Sequence, residues 1–398
     1  MPDTLPPALL RAPHRLAFLL GMLSALLLFA AWFAELASRL GPHVITPQIP
    51  AVMAHALLML YGIFPLFMTG FIFTAGPRWL GVSPPNRLRY LLTPGLMAAG
   101  VAGWLAGLAL GKSWLLAGLL LYGLGFASLT LCFAGLIWRS PQPDRRHALV
   151  VLAAFVLGLA GVVAAGCWLF SGNGAYWLIM RDLALWGFLL PVFLTVCHRM
   201  LPFFTSSVLP DRQAWRPYWL LAAMVGGSWL HGLLLLSQHS SLLADLPLTL
   251  LFGYTSWRWG LLPARKVKLL WMLHLSFAWL AVAFGLYSVA GLLPALALGL
   301  APLHAITVGF FMTMVIAFVS RVTLGHSGLP LQAGSWLWRV YLAVHAVALS
   351  RVVADFVPPA WVACLYAAVA LCGLLALLGW SRQLIGLYLK PRADGQAG

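Results

Sequence analysis

The sequence predicts an all-α integral membrane protein with about twelve transmembrane helices. Of its 398 residues, 62% are hydrophobic and only 8% are charged, and the mean hydropathy is +0.94. A soluble domain cannot bury this much apolar surface, so we expect the lipid bilayer to cover most of it. The gaps between apolar segments are too short for a soluble domain. We therefore expect one polytopic membrane domain over residues 1–398.

Windows of about 20 apolar residues mark the individual spans. The first window is too long for a cleavable signal peptide and lacks a small-residue cleavage site. The predicted spans, in chain order, are residues 16–38, 51–75, 90–110, 113–138, 147–170, 175–198, 217–237, 242–262, 267–290, 297–320, 336–356 and 360–382.

The distribution of basic residues predicts the topology. The chain has 24 lysines and arginines and a net charge of +16. If the N-terminus is cytoplasmic, only four of these basic residues lie on the outer side: Arg39, Lys112, Arg181 and Arg351. This is the positive-inside bias expected of a membrane protein with an even number of spans and both termini in the cytoplasm. The positive charge is thus a topology signal and does not indicate nucleic-acid binding.

Three arginines suggest an internal repeat. Arg78, Arg199 and Arg321 are 121 and 122 residues apart, in the segments FTAGPRWLG, VCHRMLPFFT and VSRVTLGHSG. Each segment follows a predicted span and contains Gly or Pro, so we expect each arginine in a turn at the inner end of spans 2, 6 and 10. The spacing predicts three units of four helices, at about residues 16–138, 147–262 and 267–382.

Histidines inside the predicted spans are the main candidate site residues, because ionisable groups in hydrocarbon are costly and mark functional sites. His55 and His304 fall in the outer third of spans 2 and 10, at similar depth. Such a pair suits a metal ion or the two axial positions of a haem. His231 in span 7 and His345 in span 11 are candidates for copper or a second site. The alternative for each is an imidazole hydrogen-bonded between packed helices.

The remaining histidines divide into two groups. Three lie in the inner half of the bundle: His198, His274 and His326. Four others fall in predicted loops and are assigned no specific role: His14, His43, His147 and His239.

Two arginines near the outer surface have neighbouring carboxylates. Arg181 and Asp182 open predicted span 6, and Arg351 lies four residues before Asp355 on one helix face. Either guanidinium offers paired donors to a carboxylate, so Arg181 or Arg351 is a candidate to hold haem propionates. The alternative is a local ion pair or an interfacial side chain that reaches towards water.

Two segments resemble the signatures of the NnrS family of bacterial membrane proteins. LHAITVGFFMTMVIAFVSRVTLGHSGLPL resembles a histidine-led span followed by Arg, Leu-Gly-His-Ser/Thr-Gly and Pro-Leu. AVMAHALLMLYGIFPLFMTGFIFTAGPRWLG resembles the family's second signature. Where that signature has His-Ala-His-Glu, this chain has Met53, Ala54, His55 and Ala56, so one histidine and the glutamate are missing. WMLHLSFAWL and RMLPFFT also fit, and the similarity covers nearly the whole chain.

The resemblance implies a polytopic protein that contains haem b and copper and is associated with denitrification and nitric-oxide stress. Twelve spans in three four-helix units also resemble the catalytic subunit of haem–copper oxidases, where histidines of spans 2 and 10 hold a low-spin haem near the outer face. His55 and His304 fall in the matching spans. This second likeness is an analogy of architecture.

The function expected from these features is a response to nitric oxide or related nitrogen oxides, with redox chemistry at the metal if the protein is an oxidoreductase. The expected partners are the bilayer, a small gas such as nitric oxide and a respiratory electron donor. Two alternatives belong to other classes. One is a transporter or assembly factor that moves haem or copper without catalysis, and the other is a structural partner of a respiratory complex.

Overall fold

The computed structural model describes residues 7–41 and 47–395, and it confirms the all-α membrane fold. Eleven of its described helices are long and apolar enough to cross a bilayer. A twelfth long helix completes a one-to-one match with the predicted spans. In chain order the twelve are α1 (Pro13–Ser38), α2 (Ala51–Leu80), α3 (Arg87–Leu110), α4 (Lys112–Trp138), α5 (Arg146–Ser171), α6 (Gly174–Val208), α7 (Tyr218–Leu236), α8 (Leu242–Trp259), α9 (Lys268–Leu292), α10 (Ala301–His326), α11 (Ser335–Val353) and α12 (Pro359–Leu389).

Helix α8 is the one that falls short of an apolar span. It has 18 residues, which at 1.5 Å per residue is about 27 Å, slightly less than the hydrocarbon thickness. It also carries Asp245 and Arg258 and contains Pro247. Asp245 is buried, so its charge faces other helices and not lipid.

Helices α2, α6 and α10 form the centre of the bundle. In these three, 83%, 83% and 78% of the apolar window is buried, whereas the other spans bury between 33% and 56%. Successive helices pack around them, and α12 closes the ring against α1. Three phenylalanines, one from each central helix, contact one another at the axis of the bundle. The ring centroids of Phe64, Phe193 and Phe311 are 4.7 to 5.9 Å apart.

Each central helix has one irregular segment. Helix α2 breaks at Ile63, two residues before Pro65, which lacks an N–H and clashes with the preceding turn. Helix α6 contains a π-helical stretch at Leu183–Leu189, and α10 contains one at Ala305–Met312. The first stretch begins 120 residues after Ile63 and the second begins 122 residues later, close to the spacing of the three arginines. The division of the chain into three units of four helices stays a prediction.

Side chains from neighbouring helices satisfy carbonyl groups that these irregular segments free. Tyr122 of α4 donates its hydroxyl to the carbonyl of Tyr61 at 2.6 Å, and Ser24 of α1 donates to that of Gly62 at 2.6 Å. In α6, the hydroxyl of Ser228 donates to the carbonyl of Trp186 at 3.3 Å. A break inside a membrane bundle is tolerated where neighbours replace the lost hydrogen bonds.

The turns predicted around the three arginines are wrong in detail. Arg78, Arg199 and Arg321 all lie inside helices, because α2, α6 and α10 continue to Leu80, Val208 and His326. Pro77 and Pro202 are accommodated within the helices. Below, the inner end of the bundle is the end where α2, α6 and α10 terminate, and the outer end is where they begin. These names follow the predicted topology.

Candidate functional site

His55 lies in the first turns of α2, at the outer end of the bundle. Its imidazole stacks on the indole of Trp32 of α1, with ring centroids 3.9 Å apart and planes tilted by 25°. The ring is half-buried, and Nδ1 is buried without a hydrogen-bond partner among the described residues. The indole contacts the face of the imidazole ring. The lone pair and the N–H of the ring nitrogens lie in the ring plane, so Trp32 does not block them.

His304 lies at the start of α10, directly before the π-helical stretch. Its Nδ1 is 3.0 Å from the carbonyl oxygen of Leu300, so Nδ1–H is the donor and Nε2 carries the lone pair. A backbone carbonyl that fixes the tautomer in this way is the usual outer-shell arrangement of a metal-binding imidazole. His304 is half-buried, like His55. Its lone pair is thus on Nε2.

Arg351 lies in the same neighbourhood. Its guanidinium donates to Asp355 Oδ1 at 3.0 Å, and the Tyr366 hydroxyl donates to the same oxygen at 2.6 Å. The guanidinium also lies 4.4 Å from the Tyr366 ring centre. Arg351 lies within charge–charge range of both His55 and His304, and the two imidazoles lie within that range of each other. The structure therefore places His55, His304 and Arg351 in one neighbourhood at the outer end.

Arg181 belongs to a different neighbourhood. It is the eighth residue of the span Gly174–Val208. Its guanidinium donates twice to Asp182, at 2.7 and 3.1 Å, and lies 5.4 Å from the ring centre of Trp177. Because both donors are used by Asp182, the local ion pair that the sequence offered as an alternative is formed. Arg181 shares this region with Tyr287 and Asp245.

His231 forms a buried pair with Asp245. Nδ1 of His231 lies 2.5 Å from Oδ1 of Asp245, and the Ser241 hydroxyl donates to the other carboxylate oxygen at 2.7 Å. The exposed fractions are 0% for His231 and 1% for Asp245. Nε2 of His231 has no partner among the described residues. Three rings enclose the imidazole, those of Trp186, Phe284 and Tyr287.

The His231 pair resembles the carboxylate–histidine arrangement that orients a metal ligand. However, no group of three or more His, Cys, Asp or Glu side chains in residues 7–41 and 47–395 is arranged to hold a metal ion. His231 therefore has one donor atom, Nε2, that no described residue uses.

In His345 no lone pair is left for a metal ion. The indole N–H of Trp279 donates to Nδ1 of His345 at 2.9 Å. This bond uses the single lone pair of a neutral imidazole and leaves the proton on Nε2. Nε2 is buried without a partner among the described residues. His345 contacts α9 and its own helix, whereas His231 contacts α6, α8 and α9, and the structure does not bring the two together.

The other signature residues lie in the inner half of the bundle. His274 donates from Nε2 to the hydroxyl of Thr205 at 2.9 Å, and Thr205 donates onward to the carbonyl of Leu201. His326 at the end of α10 faces His14 of α1, with ring centroids 4.6 Å apart. Arg78, Arg199 and Arg321 also lie in this half, on the central helices, and none of these residues joins the outer cluster.

Two histidines that were placed in loops are buried in helices. His14 and His147 are each 3% exposed. Nε2 of His147 lies 3.0 Å from Nδ1 of His198, whose Nε2–H donates to the carbonyl of Pro217 at 3.1 Å. The prediction missed His14 because α1 begins three residues before the predicted span. No sequence signal indicated the pairing of His147 with His198. His239 is exposed, and His43 lies outside the described residues.

A small apolar cavity lies between the three central helices and α1. Its volume is about 50 Å³, and every side chain that lines it is apolar. An apolar cavity of this kind does not hold water well but accepts small uncharged molecules. Its lining residues are Phe18, Phe67, Met68, Phe71, Ile72, Val192, Phe193, Val196, Val315, Phe318, Val319 and Val322.

Comparison with known proteins agrees with this architecture. No curated protein matches the chain. The family model described as NnrS protein matches residues 8–392, from before α1 to beyond α12. The match includes both signature segments and all twelve helices. This multi-pass membrane protein therefore belongs to the NnrS family.

Proposed function

We propose that this protein binds one b-type haem at the outer end of the bundle, with His55 and His304 as axial ligands. The observation that carries the proposal is the juxtaposition of two imidazoles with ring nitrogens available next to a guanidinium. Nε2 of His304 carries the lone pair because Nδ1–H donates to Leu300. Nδ1 of His55 is without a partner among the described residues. Leaving such groups unpaired in a membrane interior is costly, so a ligand is expected to satisfy them.

Side chains near the two histidines are suited to the propionates and the porphyrin ring of a haem. Arg351 is only partly used by Asp355, with which it forms one hydrogen bond. Its remaining N–H groups are therefore available for a propionate. Trp32 offers a flat apolar surface beside His55. Arg181 is a weaker candidate for a propionate, because two of its N–H groups already hold Asp182 in a bidentate pair, whereas Arg351 donates only one to Asp355.

We propose that the haem serves in the response to nitric oxide or related nitrogen oxides, in the inner membrane and with both termini in the cytoplasm. A haem held by two imidazoles supplies electron transfer, and release of one imidazole opens a position for a diatomic gas. This role comes from the family resemblance, and it requires an electron donor from the respiratory chain. The apolar cavity near the axis is suited to a small uncharged molecule. Copper, the second metal implied by the family, has Nε2 of His231 as its best-prepared ligand.

The test is to change each ligand and measure haem binding. His55→Ala and His304→Ala should each lower the haem content of the purified protein, or convert its optical spectrum from six-coordinate low-spin to five-coordinate. His239→Ala is the matched control, since His239 is exposed and should have no effect. Full haem content and an unchanged spectrum in both ligand variants would show that the ligands lie elsewhere. Metal analysis of the same samples, with and without His231→Ala, tests the copper proposal.

A second candidate function, a carrier of haem, is favoured by one observation. Both His55 and His304 are half-buried and lie within the first turns of their helices, where a ligand can exchange more easily than from a closed core. A carrier should bind haem substoichiometrically and transfer it to an apo-acceptor such as apomyoglobin within the assay time. A redox protein should retain stoichiometric haem and change its spectrum when nitric oxide is added anaerobically.

A further inference from the structure

A cavity of about 410 Å³ opens at the inner end of the bundle, between the loop that joins α2 to α3 and the last turns of α4. We call it the α3–α4 cavity. Its size falls within the range of about 300–1,000 Å³ that is usual for small-molecule sites. Its lining includes Asn86 before α3, Arg89 in the first turn of α3, Cys132, Gly135 and Leu136 of α4, and Arg139 directly after α4.

The walls of the α3–α4 cavity are fixed by the fold. The Ser140 hydroxyl donates to the carbonyl of Leu80 at 2.7 Å, which joins the end of α4 to the end of α2. The side chain of Asn86 accepts from the backbone N–H of Arg89 at 3.0 Å and so caps α3. A Cβ at Gly135 would meet nothing within 4 Å. The face of α4 at Gly135 therefore borders open space.

Two exposed guanidinium groups line this cavity, and neither has a counter-charge among the described residues. Arg139 donates from Nε to the carbonyl of Gly135 at 3.1 Å, and this bond leaves its terminal N–H groups available. The side chain of Arg89 forms no hydrogen bond within residues 7–41 and 47–395, and neither arginine forms an ion pair there. No acidic side chain of the described chain lines the cavity. The positive end of the α3 dipole adds to the charge of the two arginines.

The surface beside the cavity is apolar. Leu88 and Leu131, which directly precede the lining residues Arg89 and Cys132, are 64% and 72% exposed. Trp138, directly before Arg139, is 88% exposed. Large apolar side chains with this exposure face lipid in a membrane protein, and tryptophan is typical of the interface between lipid and water. The α3–α4 cavity therefore lies at the level of the lipid headgroups of the inner leaflet.

We propose that the α3–α4 cavity binds the headgroup phosphate of an anionic phospholipid from the inner leaflet. A guanidinium presents N–H groups in a planar fork that matches two oxygens of a phosphate. The apolar wall at Leu136 and the exposed leucines beside the cavity suit the glycerol backbone and the acyl chains. A free phosphate shares the charged contacts but not the apolar ones. The site is independent of the haem proposal, because it lies at the opposite end of the bundle.

The test is thermal unfolding of the full-length protein in uncharged maltoside micelles, followed by tryptophan fluorescence. The sample is titrated with dioctanoylphosphatidylglycerol at constant ionic strength. We expect a saturable rise in Tm, because a ligand that binds only the folded state stabilises it. Arg89→Gln and Arg139→Gln should each weaken the apparent affinity by about tenfold or more, and both should fold because the two side chains are exposed. Arg87→Gln is the matched control, since Arg87 is exposed in the same turn of α3 but outside the lining.

A second pair of variants tests the cavity itself. Gly135→Leu should fill the open space and abolish the effect of the lipid, whereas Gly95→Leu, at an equally open position of α3 outside the lining, should not. Dioctanoylphosphatidylcholine and inorganic phosphate should each raise Tm much less than the anionic lipid. The proposal is overturned if either of them is as effective, if the three arginine variants respond alike, or if Gly135→Leu binds the anionic lipid as well as Gly95→Leu does.

Discussion

The buried pair of His231 and Asp245 offers the sharpest stability prediction. An average hydrogen bond between transmembrane helices contributes only about 0.6 kcal/mol, whereas removing one partner of a buried charged pair costs about 3–5 kcal/mol. Because the two side chains are 0% and 1% exposed, we expect the second magnitude to apply. His231→Leu should be the most damaging single change, since it leaves the Asp245 carboxylate with only the Ser241 hydroxyl. Asp245→Leu leaves a neutral imidazole and should cost less, about 1–3 kcal/mol.

The double variant distinguishes this explanation from simple loss of packing. Replacing a whole buried pair with apolar residues is often neutral or stabilising, so His231→Leu/Asp245→Leu should be more stable than His231→Leu alone. The free energy of unfolding, measured in mixed micelles by tryptophan fluorescence, should give a coupling energy larger than the loss in Asp245→Leu alone, about 3 kcal/mol. His239→Leu, at an exposed histidine, should be neutral. If the two single losses simply add in the double variant, the pair does not exist in the folded protein.

Two further predictions concern helix packing and topology. A Cβ at Gly103 of α3 would lie 2.7 Å from the Cα of Gly118 in α4, whereas one at Gly95 of the same helix meets nothing within 4 Å. Gly103→Leu should therefore force the two backbones apart and lower Tm and folded yield in size-exclusion chromatography, while Gly95→Leu should not. A fluorescent-protein fusion after Lys390 should be bright and a phosphatase fusion there inactive, because the basic residues predict a cytoplasmic C-terminus. The reverse pattern would exchange the inner and outer ends.

The helices were predictable from sequence because their signal is local. A run of about 20 apolar residues is sufficient to identify a span, and every predicted span corresponds to a long helix. Local pairs were also predictable. Arg351 and Asp355 are four residues apart and form an ion pair of 3.0 Å. The weakest span, α8, is weak for a physical reason, since the polarity of Asp245 is compensated by a residue on another helix.

The chemical state of each candidate histidine was not predictable, because it depends on contacts between distant segments. Trp279 determines that Nδ1 of His345 is an acceptor, and the two residues are 66 positions apart. His231 and His345 looked equivalent in sequence as second-site ligands. In the structure His231 is oriented by a carboxylate, whereas the lone pair of His345 is already used. Tautomers, and with them the capacity to bind a metal, follow from tertiary packing.

Each irregular segment of the central helices lies beside a polar residue. Tyr61, Asp182 and His304 occupy corresponding positions, each within two residues of the place where its helix departs from regular geometry. Such departures free backbone carbonyls and redirect side chains, and they are common at functional sites. In α2 and α6, hydroxyl groups from neighbouring helices satisfy freed carbonyls. In α10 the polar residue at this position is an imidazole whose Nε2 is left available. The irregular segment of α10 thus lies directly after the imidazole that we propose as a haem ligand, in a helix that carries a family signature.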